Sequence, residues 1–392
     1  MSHKAVAKRQ LIDQENDPMQ KADIVIIGGG IAGTALAYAL DNDGDVVLLE
    51  AGDQLGAHAT GRSAALYSET YGTLPIRALT VASGPFLRHP PPGFTEGPLL
   101  SPRPVLHIAR ADQMDELTRA LISMQALVPS INPLTGPECR TLAPLLREAH
   151  IAAGILEPNA CDINVERLRT AYRDGARQRG ARIVTSAPVT ALSRQNGFWQ
   201  VESPAGTWQA RIVVNAAGVL SEQVATLAGV PAIGLQPMRR TVSLIDPPAG
   251  LEIGRMPFIL DIAGAFFLKP EGGALLFSSA DNTPVAPGDA LPDEQAAARA
   301  IQRVQEACGL EIKGPSQSWA VLRSFVADRN PVIGFDPAAE GFFWLAALGG
   351  SAIQTAPALS GFAAGLLRGE ETPDRLTGLG FTAAMVAPAR LR

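Results

Sequence analysis

The stretch DIVIIGGGIAG, residues 23–33, decides the fold of this chain. A short apolar run enters a turn with glycines at 28, 30 and 33, a helix-forming segment TALAYAL follows, and a second apolar run, VVLL, ends in Glu50. Gly28 permits a tight turn, Gly30 lets a ligand approach the backbone, and Gly33 lets the helix pack on the strand. The free N–H groups that open such a helix bind phosphate, and an acid about 20 residues beyond the turn bonds a ribose 2′-hydroxyl. The stretch therefore predicts a dinucleotide-binding βαβ unit, and Glu50 argues against NADP.

Composition excludes several classes of protein. The 392 residues carry a formal net charge of −5 without a basic run, so nucleic acid is not an expected partner. The N-terminal segment lacks the apolar region of a secretory signal, and no apolar run is long enough to cross a bilayer. The cysteines show no CxxC spacing and the histidines no metal-ligand spacing, so we expect no metal. We expect a reducing, cytoplasmic setting and leave contact with the inner face of the membrane open.

The order of segments indicates two interleaved parts. We expect a flexible tail at 1–20, a nucleotide-binding part at 21–90, 151–234 and 326–392, and a substrate-binding part at 91–150 and 235–325. In the second part, the runs TVSLID, FILDI, AFFLKP and GALLFSS predict an antiparallel sheet over a pocket. Seven prolines within 85–104 exclude a regular helix there. A glycine pair, Gly349-Gly350, precedes a late helix, and this interleaved order favours FAD over NAD. The predicted fold class is α/β, a Rossmann-like FAD-binding domain interleaved with an antiparallel-sheet substrate domain.

Several segments carry a resemblance to a known family. They are GGGIAG, ATGRSAALY followed by ETYG, GPLLSPRP, VVNAAG, LQPMRR, FFLKP, WAVLRSFVADRNPVIGFD and EGFFWLAALGGSAIQT. In this order, over about residues 22–360, the chain resembles the glycine/D-amino acid oxidase superfamily of FAD enzymes. Within it, the chain is most similar to bacterial D-amino acid dehydrogenases of the D-arginine dehydrogenase type. The resemblance implies a D-amino acid oxidase type of fold and FAD as the cofactor.

The fingerprint and the resemblance together give a set of cofactor-binding residues. The set is Gly28, Gly30, Ile31, Ala32, Gly33, Glu50, Ala51, Thr60, Gly61, Arg62, Ser63, Ala64, Val189, Ala217, Gly218, Gly349, Gly350, Ile353 and Gln354. The N-terminus of the helix after Gly350 would stabilise negative charge on a reduced flavin. His58 precedes this loop and could tether the flavin, but a loop histidine without a covalent bond is the preferred interpretation. We therefore expect FAD to be bound non-covalently.

Two arginines lie on an otherwise apolar sheet, and arginine suits a carboxylate because its planar fork donates two parallel hydrogen bonds. The resemblance implies that Arg240 and Arg323 clamp the substrate carboxylate, that Tyr71 adds a hydroxyl, and that the carbonyl of Gly350 receives the amine. A salt bridge or a solvated edge position is the alternative for each arginine. Arg239 competes with Arg240, because adjacent side chains of a strand point to opposite faces.

The side-chain pocket departs from relatives that act on cationic D-amino acids. Those relatives carry a glutamate after SPRP, a histidine before the first tyrosine of the HYxxxYG run and a tyrosine in the FYLKP segment, where this chain has Val105, Leu66 and Phe267. Phe258 and Leu260 complete the predicted pocket. Burying a guanidinium without a carboxylate costs several kcal/mol by order of magnitude. We therefore expect an apolar or aromatic substrate rather than D-arginine or D-lysine.

The expected reaction is oxidation of the Cα–N bond of a D-amino acid by hydride transfer to flavin N5. The imino acid then hydrolyses to a 2-oxo acid and ammonia. No strong side-chain base is evident, so water or an already neutral amine is expected to fill that role. Two alternatives stay open: oxidation of a 2-hydroxy acid or a secondary amine, and a catalytically silent flavoprotein subunit. Oxygen, a quinone and a carrier protein all remain candidates for the electron acceptor.

Overall fold

A computed structural model describes residues 19–41 and 43–392 of the chain. In chain order, the strands are β1 (Gln20–Lys21), β2 (Ile24–Ile27), β3 (Val46–Leu49), β4 (Leu66–Tyr67), β5 (Leu100–Pro102), β6 (Val105–Ala109), β7 (Asn132–Thr135), β8 (Ala153–Glu157), β9 (Cys161–Ile163), β10 (Arg182–Val184), β11 (Ala191–Gln195), β12 (Phe198–Ser203), β13 (Gly206–Ala210), β14 (Ile212–Asn215), β15 (Gln236–Ile245), β16 (Phe258–Asp261), β17 (Phe267–Glu271), β18 (Ala274–Ser278), β19 (Thr283–Pro284), β20 (Gln317–Phe325), β21 (Val332–Phe335) and β22 (Phe342–Ala346). The α-helices are α1 (Ile31–Ala39), α2 (Leu74–Arg88), α3 (Met114–Gln125), α4 (Gly136–Leu142), α5 (Val165–Gln178), α6 (Ser221–Leu227), α7 (Glu294–Cys308), α8 (Ala352–Arg368) and α9 (Asp374–Thr377). Short 3₁₀ turns cover Ala111–Gln113, Glu148–His150, Gly218–Leu220, Ala383–Met385 and Pro388–Leu391.

The nucleotide-binding part is a six-stranded sheet in the order β10-β3-β2-β14-β22-β21, parallel except for the edge strand β21. Its strands come from three separated stretches of the chain, as the interleaved order requires. The predicted strand–turn–helix–strand unit is confirmed as β2, α1 and β3. The apolar run before NAAG forms β14, which is parallel to its neighbours β2 and β22.

Both faces of this sheet are covered, which explains why its strands are apolar throughout. Ile24 and Ile26 of β2 pack in one cluster with helices α1 and α8, whereas Val25 and Ile27 pack on the opposite face. The second face is closed by a small sheet, β1-β13-β12-β11. Each strand therefore needs apolar side chains at every position rather than at alternate positions.

The second part is built on a nine-stranded sheet, β19-β15-β18-β17-β16-β6-β8-β7 with β20 paired to β15. Its strands alternate between two environments. Ile259 and Leu268 face a core closed by α7, whereas Phe258 and Phe267 face the opposite cluster. The predicted antiparallel strands are confirmed, except that β16 pairs with β6 in parallel. A small sheet, β4-β9-β5, links the two parts.

The structure differs from the sequence-based predictions in three segments. The sequence predicts no regular helix in the proline-rich stretch 85–104, but helix α2 continues through Pro85 to Arg88. Pro85 has no N–H to donate to the carbonyl of Val81, and that carbonyl accepts a hydrogen bond from Arg375 instead. The sequence predicts a return to the nucleotide-binding part at 151, but β8 pairs with β6 in the large sheet. The predicted tail lies outside the described residues up to 18, while Gln20 pairs with Trp208.

Within the described ranges, no helix is both long enough and apolar enough to cross a membrane. In the same ranges, no group of His, Cys, Asp and Glu side chains is arranged to hold a metal ion.

Candidate functional site

A cavity of about 550 Å³ opens where the parallel strands end. Ile27, Leu49, Ala216 and Ala346, at or just after the carboxyl ends of β2, β3, β14 and β22, all line it. In open α/β sheets ligands bind at this edge, because the loops that leave adjacent strands part there. The volume lies within the range of small-molecule and cofactor sites.

The glycine turn forms one wall of the cavity, and each fingerprint glycine has a distinct surrounding. Gly28 has a φ of +113°, and a Cβ there would lie 2.4 Å from the carbonyl oxygen of Ala216. A Cβ on Gly33 would lie 2.0 Å from the carbonyl oxygen of Gly28, so α1 packs on the turn only without a side chain. A Cβ on Gly30 would meet only the hydroxyl of Thr60, at 3.6 Å. The backbone at Gly30 is thus open to a ligand at the N-terminus of α1.

Glu50 follows β3 and lines the cavity. One carboxylate oxygen accepts the N–H of Gly29 at 2.7 Å, and the other accepts the N–H of Gly52 at 2.8 Å. These bonds fix the carboxylate beside the glycine turn. Each carboxylate oxygen retains a further acceptor position toward the cavity, as the predicted ribose contact requires.

The predicted cofactor-binding residues fall into two groups. Those that line the cavity are Gly28, Gly30, Ile31, Ala32, Glu50, Ala51, Thr60, Arg62, Val189, Ala217, Gly218 and Gly349. Those that do not line it are Gly33, Gly61, Ser63, Ala64, Gly350, Ile353 and Gln354. Gly33 and Gly61 pack against backbone carbonyls, and Ala64 packs on the apolar cluster of the large sheet. Gln354 is buried, and its side-chain oxygen accepts the N–H of Ser68 at 3.0 Å.

Arg240 of β15 and Arg323 of β20 share one face of the large sheet. The antiparallel register pairs Met238 with Arg323 and Arg240 with Val321, so the two guanidinium groups are diagonal neighbours. Arg239 points to the opposite face and forms a salt bridge with Asp293 at the start of α7. The strand geometry thus separates the two candidate arginines.

The guanidinium groups of Arg240 and Arg323 have different partners. Arg240 donates to the carbonyls of Ala280 and Asp281 and to the side chain of Asn282, at 2.9 to 3.0 Å. Arg323 has no hydrogen-bond or ion-pair partner among residues 19–41 and 43–392, and its Nε atom is buried. Burial, and then the positive charge of Arg323, lower the pKa of Arg240 well below its ordinary value. Two close cations without an intervening anion are the arrangement that an anionic ligand would complete.

Tyr71 and Gly350 meet Arg323 at the same place. A Cβ on Gly350 would lie 2.7 Å from the hydroxyl of Tyr71 and 3.1 Å from Cζ of Arg323. Gly350 directly precedes the cap of α8, and Tyr71 follows β4. Three segments remote in sequence therefore bring a hydroxyl, a guanidinium and the backbone of Gly350 together. Tyr71 is 40% exposed, so this point is accessible from solvent.

The five predicted pocket residues belong to one apolar cluster. Leu66, Val105, Phe258, Leu260 and Phe267 pack together on the face of the large sheet opposite α7. The rings of Phe258 and Phe267 stack with their centres 5.4 Å apart. The guanidinium carbon of Arg240 lies 5.9 Å from the centre of the Phe267 ring. The apolar cluster therefore directly adjoins the arginine pair.

His58 lines the cavity and is largely exposed. Its Nδ1 lies 3.3 Å from the carboxylate of Asp289, which also lies 3.4 Å from Arg62. Asp289 and Gly288 belong to the loop between β19 and α7 and line the same cavity. These loop residues carry no motif, and neither does the wall formed by Leu220, Gln223 and Leu227 around α6. The one available signal is position, because α6 follows directly from the end of β14.

Comparisons with known proteins give a matching family model, curated relatives and solved structures of similar fold. The model of the DAO family, described as FAD dependent oxidoreductase, matches residues 23–366. Human mitochondrial dimethylglycine dehydrogenase is 31% identical over 284 residues, which cover 68% of this chain and 31% of that protein. The chain thus spans about a third of the length of this relative. Dithionite-reduced L-α-glycerophosphate oxidase from Mycoplasma pneumoniae, a structure with FAD bound, has a TM-score of 0.78 at 19% identity and covers 89% of this chain and 95% of its own. Glycine oxidase from Geobacillus kaustophilus has a TM-score of 0.79 at 20% identity, with coverages of 90% and 96%.

Proposed function

Since the chain belongs to the DAO family of FAD-dependent oxidoreductases, and FAD is its cofactor, we propose that it oxidises the Cα–N bond of a small amino acid. The observation that carries this proposal is the unpartnered guanidinium of Arg323 beside Arg240. Two neighbouring cations without a counter-charge are unfavourable, so this pair argues for a ligand that supplies the counter-charge.

A carboxylate is the anion that best fits this position. A free guanidinium fork matches a planar carboxylate through two parallel hydrogen bonds, and the hydroxyl of Tyr71 adds a further donor. The carbonyl of Gly350, beside Tyr71 and Arg323, would accept from an amine on the adjacent carbon. An α-amino acid carries both groups at this spacing.

We propose that the substrate side chain is apolar or aromatic. The cluster around Phe258 and Phe267 adjoins the arginine pair and offers no carboxylate to a cationic side chain. Val105 is fully buried at the position where relatives that act on cationic substrates carry a glutamate. The D configuration rests on the likeness to D-amino acid dehydrogenases in the segments that carry Arg240 and Arg323.

The residues of the cavity fit the two ends of FAD. We propose that the N-terminus of α1 holds the pyrophosphate, that Glu50 bonds the ribose, and that Val189 lies near the adenine. Gly349 and the N-terminus of α8 would lie beside the flavin ring, and the binding is proposed to be non-covalent. The chemistry that FAD supplies when bound is acceptance of a hydride from the substrate Cα.

The protein contributes orientation and charge to this reaction. The arginine pair and Tyr71 would fix the carboxylate, the Gly350 carbonyl would orient the amine, and the apolar cluster would exclude water from the side chain. The resulting imino acid hydrolyses to a 2-oxo acid and ammonia. Within the described residues, no carboxylate or imidazole forms a hydrogen bond or salt bridge with the side chain of Tyr71 or Arg323. We therefore propose that the amine is already neutral or loses its proton to water.

An N-methylated amino acid is a second candidate substrate. It keeps the carboxylate that the arginines require, and its oxidation breaks the same kind of C–H bond next to nitrogen. The observation that favours it is the similarity to dimethylglycine dehydrogenase over 68% of this chain. A 2-hydroxy acid is less suited, because its hydroxyl proton requires a base.

Anaerobic flavin bleaching with a panel of substrates tests the proposal. The panel contains D- and L-leucine, D- and L-phenylalanine, D-arginine, sarcosine, dimethylglycine and a 2-hydroxy acid. We expect D-leucine and D-phenylalanine to bleach the flavin faster than D-arginine at the same substrate concentration. Bleaching by N-methylated glycines alone would replace the substrate by the second candidate. Bleaching by no carboxylate compound would leave the silent flavoprotein as the better interpretation.

A further inference from the structure

Glu157, the last residue of β8, is a buried carboxylate that the proposed chemistry does not use. It is 1% exposed. One oxygen accepts the hydroxyls of Ser68 and Thr70, each at 2.7 Å, and the other accepts the N–H of Glu69 at 2.6 Å. A single carboxylate therefore holds three consecutive residues of the turn after β4.

The partners of Glu157 show what it stabilises. No lysine, arginine or histidine forms a salt bridge with it among the residues that the structure describes. Burial raises the pKa of this carboxyl, and the three hydrogen bonds from the turn act in the opposite direction. A carboxylate buried without a salt bridge requires its hydrogen bonds, and here all of them come from residues 68–70.

This turn leads directly into the proposed substrate site. The N–H of Ser68 donates to the side chain of Gln354 in the first turn of α8 at 3.0 Å, and the N–H of Tyr71 donates to the carbonyl of Ser68 at 3.4 Å. The hydroxyl of Tyr71 then adjoins Gly350 and Arg323. A continuous set of hydrogen bonds thus joins Glu157 to the residue that completes the arginine pair.

We propose that Glu157 is a positioning residue that sets the place of the Tyr71 hydroxyl and thereby the affinity of the site for a carboxylate. This inference rests on the proposed function, since it assigns Tyr71 to carboxylate binding. The hydrogen bonds of the Glu157 carboxylate all go to the turn, and none goes to Arg323 or Gly350. Loss of its hydrogen bonds would leave the arginines in place and release the turn that carries Tyr71.

A double-mutant cycle tests this proposal through binding rather than turnover. Benzoate, a carboxylate on an apolar ring, is titrated into the FAD-loaded protein, and its Kd is read from the change in flavin absorbance. The variants are Glu157→Gln, Tyr71→Phe and the pair of them. We expect each single variant to weaken benzoate about tenfold, the loss of one hydrogen bond to a charged group. We expect the double variant to bind benzoate about as tightly as either single variant, because both changes remove the same contact.

Ser68→Ala provides a second route to the same answer if Glu157→Gln does not fold. It removes one of the three donors, so we expect a smaller loss that also disappears in the Tyr71→Phe background. Ser83→Ala is the matched control, because Ser83 is a buried serine of α2 that forms no hydrogen bond with residues 68–70. Its hydroxyl donates to the carbonyls of Leu79 and Thr355 and accepts the N–H of Ala358. If the losses of benzoate affinity were additive in the double variants, Glu157 would not act through Tyr71. The proposal of a carboxylate site at Arg323 would remain. Absence of benzoate binding to the unmodified protein would overturn both proposals.

Discussion

At the scale of single residues, Arg240 and Arg323 make an arrangement that stability alone would not retain. Two guanidinium groups share one face of a sheet, and only Arg240 has protein acceptors among the described residues. Two neighbouring cations without a counter-charge repel each other and destabilise the fold, whereas apolar residues in place of such charges are often neutral or stabilising. A protein tolerates such a destabilising pair of charges where the pair binds a ligand.

Arg323→Lys tests the fork geometry of this residue. Lysine keeps the positive charge but loses the two parallel donors, so we expect kcat/KM for the best D-amino acid to fall by about 10- to 100-fold. Bound FAD, measured by absorbance of the purified protein, should be unchanged. Arg239→Lys is the control on the opposite face, where the charge pairs with Asp293, and its kinetics should match the unmodified protein. Equal losses in the two variants would contradict the assignment of Arg323 to the substrate.

Arg323→Met separates the effect of the unpaired charge on stability from its role in binding an anion. Without a ligand, we expect the variant to unfold at the same temperature as the unmodified protein or higher, because the repulsion between Arg323 and Arg240 is removed. Benzoate at 100 times its Kd should stabilise the unmodified protein by about 2.7 kcal/mol and leave the variant unaffected. Thermal unfolding with and without benzoate measures both effects. A variant that benzoate still stabilises fully would place the anion elsewhere.

At the scale of elements, two glycines beside α1 have different roles: Gly33 allows the helix to pack on the turn, and Gly30 leaves the backbone open to a ligand. For Gly33→Ala, the added carbon would lie 2.0 Å from the backbone oxygen of Gly28. We therefore expect α1 to move away from the turn and the free energy of unfolding to fall by about 3 kcal/mol. For Gly30→Ala, the nearest atom is 3.6 Å away. We expect the apoprotein to stay within about 1 kcal/mol of the unmodified one, while FAD binds more weakly because the carbon occupies the approach to the backbone.

Urea unfolding of the apoproteins and FAD titration distinguish these two outcomes. The pair is informative because both variants add one methyl group to the same turn. If Gly30→Ala bound FAD as tightly as the unmodified protein, the phosphate would not approach α1 as proposed. If Gly33→Ala were as stable as the unmodified protein, the close packing of α1 on the turn would not matter to the fold.

Elements defined by local pattern are predictable from the sequence, whereas their partners are not. The alternation of side chains in FILDI and AFFLKP predicts the strands that carry Phe258 and Phe267, and both rings lie on one face of the substrate sheet. The strand β8 is also recognisable, but an apolar run does not specify which sheet it joins. Pro85 stays within α2 because Arg375, far along the chain, satisfies the carbonyl of Val81. Such compensation is a long-range contact that sequence pattern does not contain.

At the scale of the whole molecule, the same limit applies to the site. The glycine fingerprint and the arginines are identifiable because their chemistry is encoded in residue type and spacing. Their convergence with Tyr71 and Gly350 is an expectation that comes from the family resemblance. Glu157 gives no signal in the sequence, because a lone glutamate at a strand end has no motif. Its role depends on a turn about ninety residues earlier, with which it makes contact only in the folded chain.

His107 of β6 gives the last prediction, which concerns the stability of the folded protein as a function of pH. Its Nε2 atom is buried without a partner among the described residues, and burial, followed by the charge of Arg77, lowers its pKa to about 4. In the unfolded chain the pKa of histidine is near 6.5, so below that pH the unfolded state binds the extra proton. The contribution of His107 is therefore full above about pH 6.5 and is lost as the pH falls toward 4, by about 3 kcal/mol in total.

His107→Gln removes this titration and isolates it from its neighbours. Arg77 of α2 stays charged over this range, whereas the raised pKa of Glu157 on β8 makes acid favour the folded state and so opposes the effect of His107. The difference between variant and unmodified protein cancels the Glu157 contribution, because Glu157 is present in both. We expect the melting temperature of the unmodified protein to fall more steeply than that of the variant between pH 6.5 and 4, and the two to run parallel above pH 7. Parallel curves over the whole range would mean that His107 is protonated in the folded protein as readily as in the unfolded chain.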